Sequence, residues 1–508
     1  MTLTLHSWRV AIAIVIAGFA LLLRATPAQA EDDFQWVYSY GNNQDSSVAA
    51  VTVTKEGDIL VAGTFRGNVD FDPGSGVRLL IGGAAEAGFI VKYDPAGNLI
   101  WARALTGSDN IRISDIVVDD TNHIGVVGSF RGEADLNPGP DHFLATSKGL
   151  DDIFLLRLLP DGGFDWAWAG GHLLTDGGVA IAAGSDSDLY IAGEFEIALS
   201  IETESASAGL RNEGEDDVFV ARFDSTGGLV WARAFGGKDD DGPTDIALDA
   251  AGNVYIVGAF EAKMDTDPSE ATHNLHSYGN SDIFVVIFSA NGDWLWSTHM
   301  GSVAQERNAR ILIDADGSFY VAGEFDGRAD FNGDDKGGTI TNVGRLDVFL
   351  ARYGPRRDYQ WVIGIGGSRT DSLAGIDQDA FGSVYVLGTY ESLVDFDPGP
   401  GQVLLNGTGR DDIFLASYTR QGALRRVRGM VNPQKDFPAD IAIDPNDNVI
   451  FAGAYRETLD LGFGLTVSTG QSEFVLNVFL ARYNRNTWTP LPLRAYFPWV
   501  ARDGEASR

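Results

Sequence analysis

The sequence predicts an all-β protein, a seven-bladed β-propeller of 65-residue four-stranded repeats closed by the N-terminal strand completing the last blade. Three kinds of position recur every 65 residues, and self-similarity at a fixed period is the signature of a repeat fold. Tryptophan recurs at Trp36, Trp101, Trp166, Trp231, Trp296 and Trp361. A glycine two residues before an aromatic residue recurs in all seven units, at Gly63, Gly128, Gly193, Gly258, Gly323, Gly388 and Gly453. A phenylalanine recurs in all seven units, at Phe89, Phe154, Phe219, Phe284, Phe349, Phe414 and Phe479.

Within one unit the pattern predicts two β-hairpins. In the fourth unit the first hairpin joins Asp245 to Leu248 with Val254 to Phe260. After an excursion of about twenty residues, the second joins Asp282 to Phe288 with Trp294 to Thr298. These runs are rich in β-branched and aromatic residues and end at glycine turns, as strands do. Several are apolar throughout, which is typical of a sheet covered on both faces, and four strands in each equal unit indicate a propeller.

The two ends of the repeat region predict how the ring closes. Phe34 to Tyr40 matches the outermost strand of a unit, whereas the seventh unit has no good outermost strand after Tyr483. Pairing the N-terminal strand outside Asn477 to Tyr483 would satisfy two open strand edges at once. We therefore expect the two ends to complete one blade together.

The chain divides into three predicted parts. Residues 1–30 have the features of a signal peptide, because Val10 to Leu23 is an unbroken apolar run behind Arg9 and Ala28-Gln29-Ala30 resembles a cleavage site. Residues 31–486 form the propeller, and residues 487–508 form a C-terminal tail rich in aromatic residues and proline. Fourteen apolar residues are too few to span a bilayer, and no later segment is long enough, so we expect a secreted or cell-surface protein without a membrane span.

Composition limits the partners. The chain has 71 acidic and 37 basic residues, a formal net charge of −34, and such a surface repels nucleic acid. It contains no cysteine, so disulfides and cysteine redox chemistry are excluded. We expect a monomer whose partner is an extracellular glycan or protein.

Two segments resemble a known repeat family. Val91 to Arg103, which reads VKYDPAGNLIWAR, and Ala250 to Tyr255, which reads AAGNVY, are similar to secreted bacterial β-propeller repeats of the SBBP type. The resemblance covers roughly residues 34–483 and implies a propeller with an extracytoplasmic location. It brings no established catalytic residues to this chain. The seventh unit departs from the pattern, because Arg425 and Arg426 replace the usual apolar residue and tryptophan.

An acidic motif begins the excursions of several units. Its clearest copies pair Asp70 with Asp72, Asp265 with Asp267, and Asp395 with Asp397. Two oxygen donors beside a tight turn resemble the start of a calcium loop, since Ca²⁺ takes six to eight oxygen ligands. These six carboxylates are the candidate metal ligands, and Ca²⁺ is the candidate cofactor. The alternative is that each aspartate caps its own turn, since the twelve-residue loop ending in a bidentate glutamate is absent.

Residues that break the repeat symmetry predict a second site. Where the innermost strand of each unit begins, the equivalent residues are Ala50, Asp115, Ala180, Asp245, Arg310, Gly375 and Asp440. A ligand on the axis of a pseudo-symmetric ring must meet unequal side chains. Asp115, Asp245, Arg310 and Asp440 are therefore candidate residues for binding a cation or a polar ligand. The alternative is that they are solvated charges of a channel.

In a propeller the excursions and the links from one unit to the next open on the same face, which we call the long-loop face. These features predict a binding or scaffold propeller without catalytic residues, which presents this acidic long-loop face to a glycan, a protein or a cation. The alternative is an extracellular carbohydrate-active enzyme, a glycoside hydrolase or lyase, on the same face. Glu194 and Glu324 interrupt the glycine-aromatic triplets, but they lie two units apart. A glycosidase needs its two carboxyl groups about 5 to 9.5 Å apart, which makes this pair a poor match.

Overall fold

The computed structural model describes residues 34–333, 338–408, 410–432, 434–461, 466–468 and 475–484. Within these ranges the chain forms β-strands, and no helix there is long and apolar enough to cross a membrane. The predicted signal peptide and C-terminal tail lie outside the described residues.

The strands follow the repeat, beginning with the N-terminal strand β1 (Phe34–Tyr40). The first three units contain β2 (Ser46–Val53), β3 (Ile59–Asp70), β4 (Leu79–Tyr93), β5 (Leu99–Gly107), β6 (Ile111–Val118), β7 (Ile124–Phe130), β8 (Glu133–Asp135), β9 (Leu144–Thr146), β10 (Asp152–Leu158), β11 (Phe164–Gly170), β12 (Asp176–Ala183), β13 (Leu189–Glu202), β14 (Ser207–Phe223) and β15 (Leu229–Gly237). The next two contain β16 (Asp241–Leu248), β17 (Val254–Asp265), β18 (Asn274–Phe288), β19 (Trp294–Met300), β20 (Glu306–Ile313), β21 (Phe319–Phe325), β22 (Arg328–Asp330), β23 (Thr339–Thr341), β24 (Asp347–Tyr353) and β25 (Tyr359–Ile365). The last two contain β26 (Ser372–Gln378), β27 (Val384–Tyr390), β28 (Leu393–Asp395), β29 (Leu404–Asn406), β30 (Asp412–Tyr418), β31 (Leu424–Met430), β32 (Phe437–Ile443), β33 (Val449–Arg456), β34 (Thr458–Asp460), β35 (Thr466–Ser468) and β36 (Leu476–Tyr483).

Each of the first six units builds an antiparallel run from four main strands of its own, as in the order β12-β13-β14-β15 of the third unit. The run of the seventh unit has the order β1-β36-β33-β32. In it β1 pairs antiparallel with β36, and Val37 lies opposite Ala481. The chain is therefore an all-β, propeller-like repeat fold.

The excursion between the second and third main strands is itself paired, which differs from the loop expected from the sequence. In the third unit β13 and β14 form one long hairpin, from Leu189 opposite Phe223 to Glu202 opposite Ser207. In the second unit the short strands β8 and β9 form a separate ladder. The first part of β14 alternates between exposed and half-buried residues, which is the pattern of a strand with one covered face.

Apolar side chains fill the spaces between successive units. One cluster joins Val220 of the third unit to Ile256 of the fourth. Another joins Phe89 of the first unit to Leu480 of the seventh. All residues of β10 and β27 are buried, because these middle strands are covered on both faces.

The first strands of the units contact one another in series. β2 contacts β6, β6 contacts β12, and the series continues through β16, β20, β26 and β32. β32 in turn contacts β2. Residues of these seven strands line one cavity.

Several of the recurring tryptophans connect their own unit to the next one. The indole Nε1 of Trp166 donates to Ser225 O over 3.1 Å, and that of Trp231 donates to Ala290 O over 3.0 Å. Both acceptors lie in the turn between the third and fourth main strands of the following unit. In that turn Gly227 has φ +84°, and a methyl group built on it would lie 2.9 Å from the Trp166 ring. Glycine is therefore required by the left-handed backbone and by the ring beside it.

The N-terminal strand makes the same kind of contact with the first unit. Trp36 Nε1 donates to Pro95 O over 3.5 Å. Tyr40 is buried and stacks on Phe71 and Tyr93, with ring centroids 5.7 and 5.8 Å apart. β1 thus occupies the place that the fourth main strand takes in the other units.

Candidate functional site

The first strands of the units surround a cavity of about 560 Å³. The four candidate residues of the sequence analysis, Asp115, Asp245, Arg310 and Asp440, all line it, together with Asp377. The structure therefore brings the predicted ligand-binding residues to one place. Four carboxyl groups and one guanidinium share this place, which we call the axial cavity.

The carboxylates of the axial cavity hold neighbouring strands together. Asp115 accepts a hydrogen bond from Ile116 N–H over 2.7 Å and another from Ile181 N–H over 2.9 Å. Ile181 belongs to the next unit. Equivalent pairs of bonds are accepted by Asp245 from Ile246 and Ile311, by Asp377 from Gln378 and Ile443, and by Asp440 from Ile441 and Val51. The last of these bonds joins the seventh unit to the first.

Asp377 is the cavity residue that the sequence analysis missed. It lies two residues beyond Gly375, and its equivalents in three other units are Val117, Ala182 and Leu312. Alternate residues of a strand point to the same face, so Asp377 reaches the cavity that the Gly375 position faces. The sequence signal that could have identified Asp377 is a carboxylate at a repeat position that is largely apolar in the other units.

Charge in the axial cavity changes near neutral pH. Burial raises the pKa of Asp115 to about 8, and the negative charges of Asp245 and Asp440 contribute to this rise. Burial likewise raises the pKa of Asp440 to about 7 and that of Asp377 to about 6. Arg310 opposes the pKa rise at Asp245 and Asp440, because its positive charge favours their ionised forms.

The predicted metal ligands cap their own turns. In the fourth unit Asp265 accepts from Asp267 N–H over 3.2 Å and from His273 N–H over 2.8 Å, and Asp267 accepts from Ser269 N–H over 3.0 Å. Equivalent bonds are accepted by Asp70 from Asp72 and Arg78, by Asp72 from Gly74, by Asp395 from Asp397 and Val403, and by Asp397 from Gly399. The three motifs lie in three different units. Calcium binding by these carboxylates stays a prediction.

No group of three or more His, Asp or Glu side chains in the described ranges comes together in a way that could hold a metal ion. The two glutamates considered for glycoside hydrolysis have separate surroundings. Glu324 is buried and accepts from Arg307 Nε over 2.9 Å and from Leu373 N–H over 3.1 Å, so it joins the fifth unit to the sixth. Glu194 is half-buried, and burial together with Asp216 raises its pKa.

Carboxylates also gather where the third and fourth units meet on the long-loop face. Glu194, Glu196, Glu215, Asp216 and Asp240 influence one another there, and we call them the acidic cluster. Asp240 raises the pKa of the exposed Glu215. Burial, followed by the charges of Glu196 and Asp240, raises the pKa of Asp216. Like charges that raise one another's pKa repel, and a positive partner would relieve that repulsion.

No protein-family model matches the sequence. The chain is similar to an uncharacterized WD repeat-containing protein of Acanthamoeba polyphaga mimivirus, at 22% identity, over 83% of this chain and 36% of the relative. It is also similar to the regulatory protein FlaEY of Caulobacter vibrioides, at 26% identity, over 52% of this chain and 28% of the relative. The chain thus spans about a third of the length of these curated relatives.

Two solved structures align with the chain at low scores. An ulvan lyase, a polysaccharide lyase, aligns with a TM-score of 0.44 and 10% identity, over 82% of this chain and 93% of that chain. A protein of unknown function from Dyadobacter fermentans aligns with a TM-score of 0.36 and 10% identity, over 88% of this chain and 98% of that chain. Scores this low carry no argument about function.

Proposed function

We propose that the chain is a seven-bladed propeller closed by its N-terminal strand. Three observations support the closed ring. The first strands contact in series from β2 to β32, and β32 contacts β2. β1 pairs with β36, which lies in the same run as β32. The cluster that contains Phe89 and Leu480 packs the first unit against the seventh.

We propose further that this ring is a secreted or cell-surface scaffold without catalytic residues, which binds a positively charged partner on its long-loop face. The acidic cluster is the observation that carries this proposal, because its carboxylates repel one another and two of them, Glu215 and Asp240, are exposed to a partner. The net charge of −34 draws cationic partners toward the molecule from a distance. The partner class is an extracellular protein with a basic surface or a glycan that carries amino groups.

The apolar run Val10 to Leu23 and the resemblance to SBBP-type repeats support the extracytoplasmic location. N-terminal sequencing of the protein recovered from the culture medium or cell surface tests it. We expect the recovered chain to begin at Glu31, after cleavage behind Ala30. Recovery of the uncleaved chain inside the cell would contradict this location.

An array of basic peptides and amino-sugar glycans tests the partner class. We expect binding that weakens as salt is raised, because ions screen exposed charges. The triple variant Glu215→Gln, Asp216→Asn and Asp240→Asn is expected to weaken binding about tenfold, since three surface ion pairs together are worth about 1–2 kcal/mol.

A charge-matched control separates this face from net charge. The triple variant Glu56→Gln, Asp120→Asn and Asp293→Asn removes three exposed carboxylates from hairpin turns on the opposite face and is expected to leave affinity unchanged. Equal weakening by both variants would contradict a defined binding face. Release of products from a polysaccharide panel would favour the carbohydrate-active enzyme instead.

A further inference from the structure

At four of the junctions between successive units lies a pair of buried carboxyl groups in which each group has one oxygen without a hydrogen-bond partner. In each pair one side chain comes from the third main strand of a unit, and the other comes from the first strand of the next unit or, for Asp371, from the residue just before that strand. The pairs are Asp152 with Asp176, Asp217 with Asp241, Asp282 with Glu306, and Asp347 with Asp371. None of the eight side chains is more than 2% exposed.

Each carboxyl group uses one oxygen to fix the main chain. Asp282 accepts from Tyr278 N–H over 3.0 Å, and Glu306 accepts from Ser302 N–H over 2.7 Å. The other oxygen of each group is buried without a hydrogen-bond partner. These oxygens are Asp152 Oδ1, Asp176 Oδ1, Asp217 Oδ1, Asp241 Oδ2, Asp282 Oδ1, Glu306 Oε1, Asp347 Oδ1 and Asp371 Oδ1.

The two groups of a pair are close to one another. A methyl group built on Gly301 would lie 2.6 Å from Asp282 Oδ1 and 2.7 Å from Glu306 Oε2, so one point beside the backbone touches both carboxyl groups. Glycine also stands at the equivalent positions Gly171, Gly236 and Gly366, where it contacts the first carboxyl group of each pair. Because glycine has no side chain, the carboxyl groups can approach the main chain where it passes from one unit to the next.

The nearest basic side chain does not neutralise the pair at the junction of the fourth and fifth units. His299 Nε2 lies 3.9 Å from Asp282 Oδ2, beyond hydrogen-bonding distance. Burial also lowers the pKa of His299, which favours its neutral form. Two ionised carboxylates would therefore stay buried together, which destabilises the fold unless a positive charge pairs with them.

We propose that each of these four junctions holds a divalent, oxygen-preferring cation such as Ca²⁺, bound between the two orphaned carboxyl oxygens. A charge of +2 neutralises both carboxylates, whereas one shared proton or one monovalent ion leaves a buried negative charge. Hard cations such as Ca²⁺ prefer carboxylate, carbonyl and water oxygens as ligands. These ions would join neighbouring units where the main chain crosses. Two of the crossings lie beside Asp-x-Asp turns, because Gly236 pairs with Asp265 and Gly366 with Asp395. At the junction of the third and fourth units, Asp217 and Asp241 directly follow Asp216 and Asp240 of the acidic cluster.

The chain contains its own comparison at the junction of the sixth and seventh units. Asp412 and Asp436 form the equivalent pair there, but Asn432 lies between them. Its main-chain N–H donates to Asp412 over 2.9 Å, and its side-chain Nδ2 donates to Asp436 over 2.5 Å. Both oxygens of Asp412 therefore accept hydrogen bonds, and Asp436 Oδ1 is the single oxygen of this pair without a partner. At the junction of the first and second units the equivalents are Ala87 and Ile111, which cannot bind an ion.

Equilibrium dialysis against Ca²⁺ at pH 8, with metal content measured by plasma mass spectrometry, tests the proposal. We expect close to four bound Ca²⁺ per chain and a higher thermal midpoint in Ca²⁺ than in EDTA, because an ion that binds only the folded state stabilises it. The double variant Asp282→Asn and Glu306→Gln is expected to bind one ion fewer. Its midpoint in EDTA also reports whether it folds, since the neutral side chains remove the repulsion.

Two controls identify the ligands. The double variant Asp412→Asn and Asp436→Asn is expected to keep the full number of ions, because Asn432 donates to both carboxyl groups and only one oxygen of the pair has no partner. The variant Asp395→Asn and Asp397→Asn is expected to keep it as well, since these carboxylates cap a turn. The proposal is overturned if the protein retains no Ca²⁺ at millimolar concentration and its thermal midpoint in EDTA rises on acidification. That result would favour a shared proton in each pair.

Discussion

Asp115 illustrates what a single carboxylate does in this repeat fold. It accepts one hydrogen bond from its own strand and one from Ile181 in the next unit, and burial raises its pKa to about 8. An aspartate in an unfolded chain has a pKa near 3.9, so between these values the folded state binds more protons than the unfolded state. Stability from this group is therefore greatest at low pH and falls as pH rises through this range.

The substitution Asp115→Asn tests this linkage. The amide cannot ionise, so the variant should lose less stability than the wild type between pH 5 and pH 9. Each unit by which the pKa of the folded state exceeds that of the unfolded state is worth about 1.4 kcal/mol. At pH 5 the variant is expected to be the less stable protein, because its amide nitrogen replaces an acceptor of the main-chain hydrogen bonds. Urea unfolding in EDTA at several pH values measures both effects.

The substitution Asp120→Asn is the control, because Asp120 is exposed and its partner Lys55 lies 2.8 Å away at the surface. It should leave the dependence of stability on pH as it is in the wild type. If the free energy of unfolding changes with pH in the same way for the wild type and for Asp115→Asn, then Asp115 does not titrate in this range.

At the residue scale, the sequence predicted four of the five charged groups of the axial cavity. Asp115, Asp245, Arg310 and Asp440 share one repeat position, and a ring brings equivalent positions together. Asp377 occupies another repeat position, and its partner Ile443 is identified only by the path of the next strand. The buried acid pairs between units were beyond sequence analysis for the same reason, because each pair joins two different repeat positions across a junction.

At the scale of elements, the recurring tryptophan and the turn of the next unit form one contact. Trp166 donates through Nε1 to Ser225 O, so the indole ring is held beside Gly227. Gly83 offers a comparison, because it has φ +76° and a methyl group built there meets nothing within 4 Å. The two glycines share the left-handed backbone but differ in their surroundings.

Gly227→Ala is therefore expected to destabilise the protein more than Gly83→Ala. A left-handed alanine costs about 1–2 kcal/mol in either position. Only Gly227→Ala adds repulsion against the Trp166 ring, which cannot move away without losing its hydrogen bond. Chemical unfolding of both variants measures the difference. Equal costs would mean that the ring yields and that the tryptophan does not fix the turn.

The recurring positions of the sequence located the main strands, because each marks the same place in every unit. The fourth unit shows this, since the runs from Asp245 and from Val254 lie within β16 and β17. The pairing of the excursions was not predicted, because the exposed positions of their strands hold apolar residues such as Ile81 and Leu144 as well as polar ones such as Arg211, so no clean alternation is visible in the sequence. The contact between Trp166 and Ser225 joins two units through space, which the 65-residue spacing alone does not identify.

At the scale of the whole molecule, the N-terminal strand links the last unit to the first. β1 covers the edge of β36, and its Tyr40 stacks on Phe71 and Tyr93 of the first unit. Without β1, the backbone N–H and C=O groups along the outer edge of β36 would lose their partners. An uncovered strand edge pairs readily with other chains.

A chain that begins at Gly41 is expected to unfold at a lower temperature than a chain that begins at Glu31, and to self-associate. Light scattering after size exclusion and a thermal melt measure both effects. A synthetic peptide with the sequence of residues 34–40 should restore the monomer and recover part of the lost thermal midpoint. A separate strand can complete a sheet through its main-chain hydrogen bonds. In a matched control peptide, alanine replaces Trp36 and Tyr40, which retains the backbone but removes the rings that contact the first unit. If the shortened chain stays monomeric with an unchanged thermal midpoint, β1 does not contribute to stability, and the contacts among the first strands are sufficient to hold the first and seventh units together.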